Sequence, residues 1–245
     1  MLSLFYYITI TLYGLTFIFN VSGLKRYEIV SAVSAVTANI IPLFLIFYRS
    51  GHFPGYNIYE SFLFASFILG CLAIFVPGVK GYTSKIRLWV WIEILILLIT
   101  ALLISEELTS TGFDYNYIYK ILFHIFRPIS MATMLYATAY FTQFILEREF
   151  NERTSWLAHA GRNFLILSTV LFLVSEYTGI IWCQQEFGDF WMWNQNFMQS
   201  TIIMSYLMLA FHIPGKDKRA EDFRSLIGGL SGVFVVTLTI VRSFF

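Results

Sequence analysis

Four ionisable side chains and a histidine sit inside strongly apolar stretches of this 245-residue sequence: Glu60, Glu93, Arg127 and Glu176, with His124 beside them. A charge within a bilayer span is costly, so such residues pair with one another or serve a function. Arg127 has two candidate partners, Glu60 and Glu176, because an unpaired buried guanidinium would be expensive. The pair is read either as a structural tie between helices or, with Glu60, as a polar floor under a pocket, where Arg127 or a nearby polar group meets the acid groups of a ligand. Glu93 is expected near the opposite face, reaching the interface. Neutral imidazole is a normal iron ligand, which makes candidates of the four histidines, His52, His124, His159 and His212. The competing use of any one histidine is an interfacial hydrogen bond. The second chemical feature is aromatic. Between Gly179 and Asn194 the chain gathers Trp182, Phe187, Phe190, Trp191 and Trp193 around Gly188. Tryptophan collects at membrane interfaces in general. Three in twelve residues, with a glycine that permits a tight turn, read as a flat surface for a planar apolar ligand.

These side chains need elements to position them. The composition is 58% hydrophobic and 13% charged, with mean hydropathy +0.69, against about 25% charge in soluble domains. The chain therefore reads as an all-α, polytopic transmembrane helix bundle. At about 20 apolar residues per span, eight segments qualify: roughly 3–22, 28–48, 58–77, 87–105, 118–145, 163–183, 197–213 and 226–244. Short connections predict one transmembrane domain over 1–245, with a tryptophan-rich loop at 182–196. The first segment lacks a basic leader and a small-residue cleavage site, so it reads as a retained helix.

Lysine and arginine set the orientation. Twelve lie in or beside the connections after helices 1, 3, 5 and 7. The connections after helices 2, 4 and 6 have two, Arg49 and Lys120. Both termini and the tryptophan loop are thus expected on the outer side of a bacterial inner membrane or an organelle membrane. A net charge of +1 gives no reason to expect nucleic acid. Cys71 and Cys183 are far apart on this topology, and no Cys-x-x-Cys-His motif is present for covalent haem attachment to this chain.

The aromatic stretch resembles the tryptophan-rich "WWD" motif of the haem-handling membrane proteins of cytochrome c biogenesis, and within them the CcsA/ResC type. The family pattern runs, in outline, G-x-x-W-x-x-x-x-W-G-x-x-W-x-W-D. Gly179, Trp182, Phe187, Gly188, Trp191, Trp193 and Asn194 follow it in register. Phe187 stands for a tryptophan and Asn194 for the aspartate. A second stretch, Gly51, His52, Pro54, Asn57, Tyr59, Glu60 and Ser61, resembles G-H-x-P-x-x-N-x-Y-E-S. Weaker echoes run from Ile129 to Ala137, and His212 has the spacing of a family histidine at a helix end. The family has histidines where this chain has Asn39 and Pro128.

The resemblance implies a protein that presents haem b, non-covalently held, on an outer tryptophan surface for attachment to apocytochrome c. It also implies a second membrane subunit that contributes haem ligands. On that reading His124, one turn from Pro128, and His52 act as replacement iron ligands, with His212 at the other face. Catalysis would be at most that of one component of a haem lyase. The alternative is a diverged, non-catalytic member. It would be a structural subunit of a membrane complex, such as one containing cytochromes, or a binder of another amphipathic ligand such as a quinone or lipid. Transport and hydrolysis are less favoured: no paired broken helices and no cluster of nucleophile, base and orienter are visible.

Overall fold

A computed structural model describes residues 2–78, 81–104, 117–147, 152–188, 195–213 and 218–243. Every regular element among them is an α-helix: α1 (Leu2–Val21), α2 (Lys25–Ser50), α3 (Ile58–Phe75), α4 (Thr83–Leu103), α5 (Ile118–Leu146), α6 (Glu152–Phe187), α7 (Gln195–His212) and α8 (Lys218–Ser243). Seven are long and apolar enough to cross a membrane, judged on the described residues; α7 is outside that group. The all-helical architecture expected from composition is therefore present. The chain groups into two compact units, Met1–Asn116 and Tyr117–Phe245.

The first unit is a ring of four helices. α1 packs on α2 and α4, and α3 closes the ring against the same two. Its core includes Tyr6, Tyr13, Ile46, Phe62, Leu69, Trp91 and Leu97, all buried. α3 starts at Asn57, whose side chain accepts the Glu60 N–H at 2.7 Å, an N-cap that satisfies an orphan donor of the first turn.

In the second unit α5 is central, packed on α6 and on α8, while α7 leans on α8. From Ser130 to Phe141 every residue of α5 is buried. Small residues permit this. A Cβ at Gly228 would lie 2.8 Å from the Phe141 ring, and one at Gly232 would lie 2.7 Å from Thr138 Oγ1 and 3.0 Å from Leu135 Cα. The Gly228-x-x-x-Gly232 spacing lets α8 approach α5 closely, as small residues do between membrane helices. The Gly232 N–H then donates to Thr138 Oγ1 at 3.2 Å. Along the other seam, Ser130 Oγ donates to the Ser168 carbonyl at 2.9 Å and Ser175 Oγ to the Phe123 carbonyl at 3.2 Å.

One boundary differs from the sequence reading in a way that matters for the site. α6 has 36 residues rather than the expected span of 163–183, and it continues to Phe187. At 1.5 Å per residue it is about 54 Å long, well beyond a hydrocarbon core of about 30 Å. Hydropathy detects only the apolar middle of such a helix. Cys183, Gln184, Gln185 and Glu186 are polar enough to resemble a loop, yet nothing in them breaks a helix before Gly188. There φ is +72°, and the N–H caps the Gln184 carbonyl at 3.0 Å. Trp182 therefore stands on a helix, which ends at Gly188.

Candidate functional site

α5 and α6 run antiparallel, and their register brings the first turns of α5 against the last turns of α6. Lys120, Phe123, His124 and Arg127 stand at i, i+3, i+4 and i+7, which places them along one side of α5. Phe172, Glu176, Gly179, Trp182 and Glu186 follow one another at three- and four-residue spacings along one side of α6. Gly179 makes the crossing tight, since a Cβ there would lie 2.8 Å from the Phe123 ring.

The centre is aromatic. The His124 ring centroid lies 6.1 Å from that of Trp182 and 5.0 Å from that of Phe123, and Phe123 and Trp182 are 6.1 Å apart. Charges flank it on both sides. Toward the helix ends, Lys120 Nζ sits 4.7 Å above the Trp182 ring and 3.8 Å from Glu186, and Trp182 Nε1 donates to the Glu186 carboxylate. Deeper, Arg127 Nη1 donates to Glu176 Oε1 at 3.1 Å, while the guanidinium lies 5.3 Å from the Phe123 centroid and 5.9 Å from that of Phe172. Such cation–ring contacts favour a planar guanidinium. Two cations and two carboxylates balance, so the cluster carries no net charge.

Of the two partners the sequence allowed Arg127, the structure pairs it with Glu176. One donor remains over: Arg127 Nη2 is enclosed and has no hydrogen-bond partner. Pro128 has no N–H to offer the carbonyl of His124, one turn earlier. The same stretch takes the Ser175 hydroxyl as a side-chain donor, on the Phe123 carbonyl.

Glu60 has another setting. Its side chain is fully buried within the first unit, where it accepts the Gly55 and Tyr56 N–H groups at 3.0 Å each and the Asn57 amide at 3.1 Å. It closes the 51–57 loop over the start of α3. His52 belongs to that loop: its Nδ1 donates to the Phe53 carbonyl at 3.0 Å, lies 3.9 Å from Glu60, and its ring packs 4.5 Å from Tyr56. The His52 side chain is fully buried as well. Glu93 is half-buried on α4, and its Oε2 is enclosed without a hydrogen-bond partner.

His212 is exposed on the last turn of α7, with Nδ1 donating to the Met208 carbonyl at 2.8 Å. The preceding Ala210 and Phe211 line a small recess with Phe141 and Ala158, at the end of the second unit opposite Trp182. The structure thus joins His124, Arg127 and Trp182, and within the same unit His212 lies at the other end. Phe187 closes α6, and Gly188 follows. Trp191, Trp193 and Asn194 lie outside the described residues. Among the described residues, no group of three or more His, Cys, Asp or Glu side chains is arranged to hold a metal ion, and both cysteines are free thiols.

Reading the sequence alone left out the parts played by Lys120, Phe123, Phe172 and Glu186. Their signal is the run of aromatic and charged residues at helical spacing on α5, mirrored in reverse order on α6. No family model matches the chain, and no curated protein matches it.

Proposed function

We propose that this chain is a haem-handling membrane protein of the cytochrome c assembly type, with eight spans and both termini on the outer side. The observation that carries this reading is the cluster of His124, Trp182, Phe123 and Arg127 at the end of α6 that leads into the tryptophan-rich stretch. Its chemistry fits haem b. The aromatic rings offer faces to a porphyrin, the imidazole of His124 is a nitrogen donor to iron, and the spare Arg127 Nη2 is a donor for a propionate carboxylate. Haem is the cargo, and it brings the vinyl groups to which apocytochrome c thiols add. The residues of this chain orient it: Arg127, fixed by Glu176, holds the acid edge, and Trp182, fixed by Glu186 and Lys120, limits how the plane can tilt. Trp191, Trp193 and Asn194 enter this reading through their resemblance to the family motif alone. A second membrane subunit supplies further ligands, as the family resemblance implies, since His212 stands at the other end of the second unit.

The test is spectroscopic. The protein is purified in mild detergent, titrated with haem b, and its Soret band is compared with that of His124→Ala. The expected result is saturable binding, with a band that weakens or shifts in the variant. No saturable band, with or without a co-expressed partner subunit, would overturn the proposal. An identical band in the variant would remove His124 from it.

One observation favours a second reading, a structural subunit or a binder of another amphipathic ligand. His52 is committed to the Phe53 carbonyl and Glu60 within its own loop, so its Nδ1 is taken up in holding that loop. A quinone or lipid that binds where haem b does not would support it.

A further inference from the structure

Two arginines meet at the end of the second unit opposite Trp182. Arg162 follows Gly161 on α6, and Arg224 stands one turn before Gly228 on α8. Both glycines press on one ring: a Cβ at Gly161 would lie 3.2 Å from Phe141, and one at Gly228 would lie 2.8 Å from it. α6 and α8 therefore flank Phe141 closely. The two arginines line the small recess beside that ring, together with Leu165 and Phe211, and Glu221 is the acid among the lining residues.

The recess has charge to spare. Arg224 Nη2 donates to both oxygens of Glu221. Its Nη1 and Nε have no partner among the described residues. Arg162 is exposed and makes no hydrogen bond or ion pair among them. Two cations against one carboxylate leave the lining with one positive charge. The depth is that of a membrane–water interface, because the lining residues sit at the ends of all four apolar segments of this unit. Arg162 immediately precedes the segment at 163–183, and Arg224 lies two residues before the one at 226–244. Phe211 lies two residues before the end of 197–213, and Phe141 four before the end of 118–145. From Arg162 one side of α6 continues through Ile166, Val170 and Leu173, all exposed, into the apolar stretch.

We propose that this recess binds the headgroup phosphate of an anionic phospholipid. Guanidinium suits a phosphodiester because its fork of donors matches two phosphate oxygens, and basic pockets between membrane helices recognise anionic headgroups in this way. The recess is too small to enclose a lipid. The phosphate therefore sits at its mouth, between Arg162 and the free edge of Arg224, and the acyl chains lie outside along Ile166, Val170 and Leu173. A zwitterionic lipid brings a cation of its own toward the two arginines and gains less. The site is separate from the His124 cluster, which occupies the other end of the unit, and does not depend on haem.

The full-length protein in mild detergent is titrated with phosphatidylglycerol or with phosphatidylcholine, and bound lipid is counted by native mass spectrometry. Phosphatidylglycerol is expected to bind at lower concentration and to survive collisional activation that strips phosphatidylcholine. Arg162→Gln should weaken phosphatidylglycerol about fivefold, the worth of one basic side chain beside an anionic headgroup, with an unchanged melting temperature. Arg224→Gln should weaken it too. Glu221→Gln should strengthen it, because the Glu221 carboxylate competes with phosphate for Arg224; a purely structural ion pair predicts a loss there instead. Arg26→Gln, exposed on α2, should bind like the wild type. Equal binding of the two lipids overturns the proposal, as does wild-type affinity in Arg162→Gln or weaker binding in Glu221→Gln. An equal loss in Arg26→Gln assigns the effect to general surface charge and overturns it. Displacement of phosphatidylglycerol by inorganic phosphate assigns the recess to a soluble anion and overturns the lipid.

Discussion

Arg127 shows how far residue-level reasoning reaches. Burial cost demands a carboxylate, and the sequence offers two at a comparable depth. The choice of Glu176 depends on the α5–α6 register, which is a property of packing and not of either segment alone. The pair is not fully enclosed: 19% of the Arg127 side chain and 22% of the Glu176 side chain remain exposed. Breaking it should cost less than the 3–5 kcal/mol typical of a buried pair and more than a surface pair is worth, about 1–3 kcal/mol. Arg127→Leu is therefore expected to lower the melting temperature in detergent. In a double-mutant cycle with Glu176→Leu the two losses should not add, because each single change strands the other charge. Additive losses would show that the pair is not coupled.

Glu60 makes a different residue-scale prediction. Its oxygens take two backbone N–H groups and one amide. Glutamine keeps only one of these acceptors, so Glu60→Gln leaves at least one donor of the 51–57 loop short of a partner. The expected outcome is faster proteolytic cleavage within 51–57, with haem or other ligand binding at the α5–α6 cluster unchanged. A protease-resistant variant would contradict the role of Glu60 as the clamp of that loop.

At the scale of elements, the apolar middle of every helix was readable because a span needs its length in apolar residues. The ends were not. α6 continues past its apolar stretch because the segment from Trp182 to Phe187 is compatible with a helix, and only Gly188 ends it. What hydropathy reads as loop is therefore helix, and Trp182 is held facing His124 instead of moving with a loop. The α5–α8 contact was missed for a related reason: Gly228 and Gly232 are unremarkable until the partner surface is known. Their prediction is steric. Gly232→Ala forces a Cβ against Thr138 Oγ1 and the Leu135 backbone, and overpacking of this kind costs about 1–3 kcal/mol. Gly14→Ala, with nothing within 4 Å of its Cβ, should be neutral or slightly stabilising, since alanine is the better helix former by about 1 kcal/mol. Equal melting temperatures for the two variants would mean that α8 does not approach α5 this closely.

At the scale of the whole molecule the open quantity is how many times the chain crosses the bilayer, and α7 decides it. With 18 residues and the polar Gln199 and Ser200 buried near its start, α7 is not one of the seven helices apolar enough to qualify by composition. Charge argues the other way. If α7 did not cross, the basic residues Lys216, Lys218, Arg219 and Arg224 would lie on the same face as the lysine- and arginine-poor connections, against the twelve-to-two bias in the sequence. Burial supports the crossing physically, since Gln199 donates to Thr239 Oγ1 on α8 at 3.2 Å and so does not meet lipid unsatisfied. Single cysteines in a Cys71→Ser, Cys183→Ser background test the count. Ser22→Cys, Gln185→Cys and Asp222→Cys all occupy exposed positions. Five helices separate the first two, which should therefore label from opposite faces with a membrane-impermeant maleimide. Asp222→Cys should label with Ser22→Cys if α7 crosses. Labelling with Gln185→Cys would leave α7 on one face and turn α8 over, moving the C-terminus to the side opposite the N-terminus.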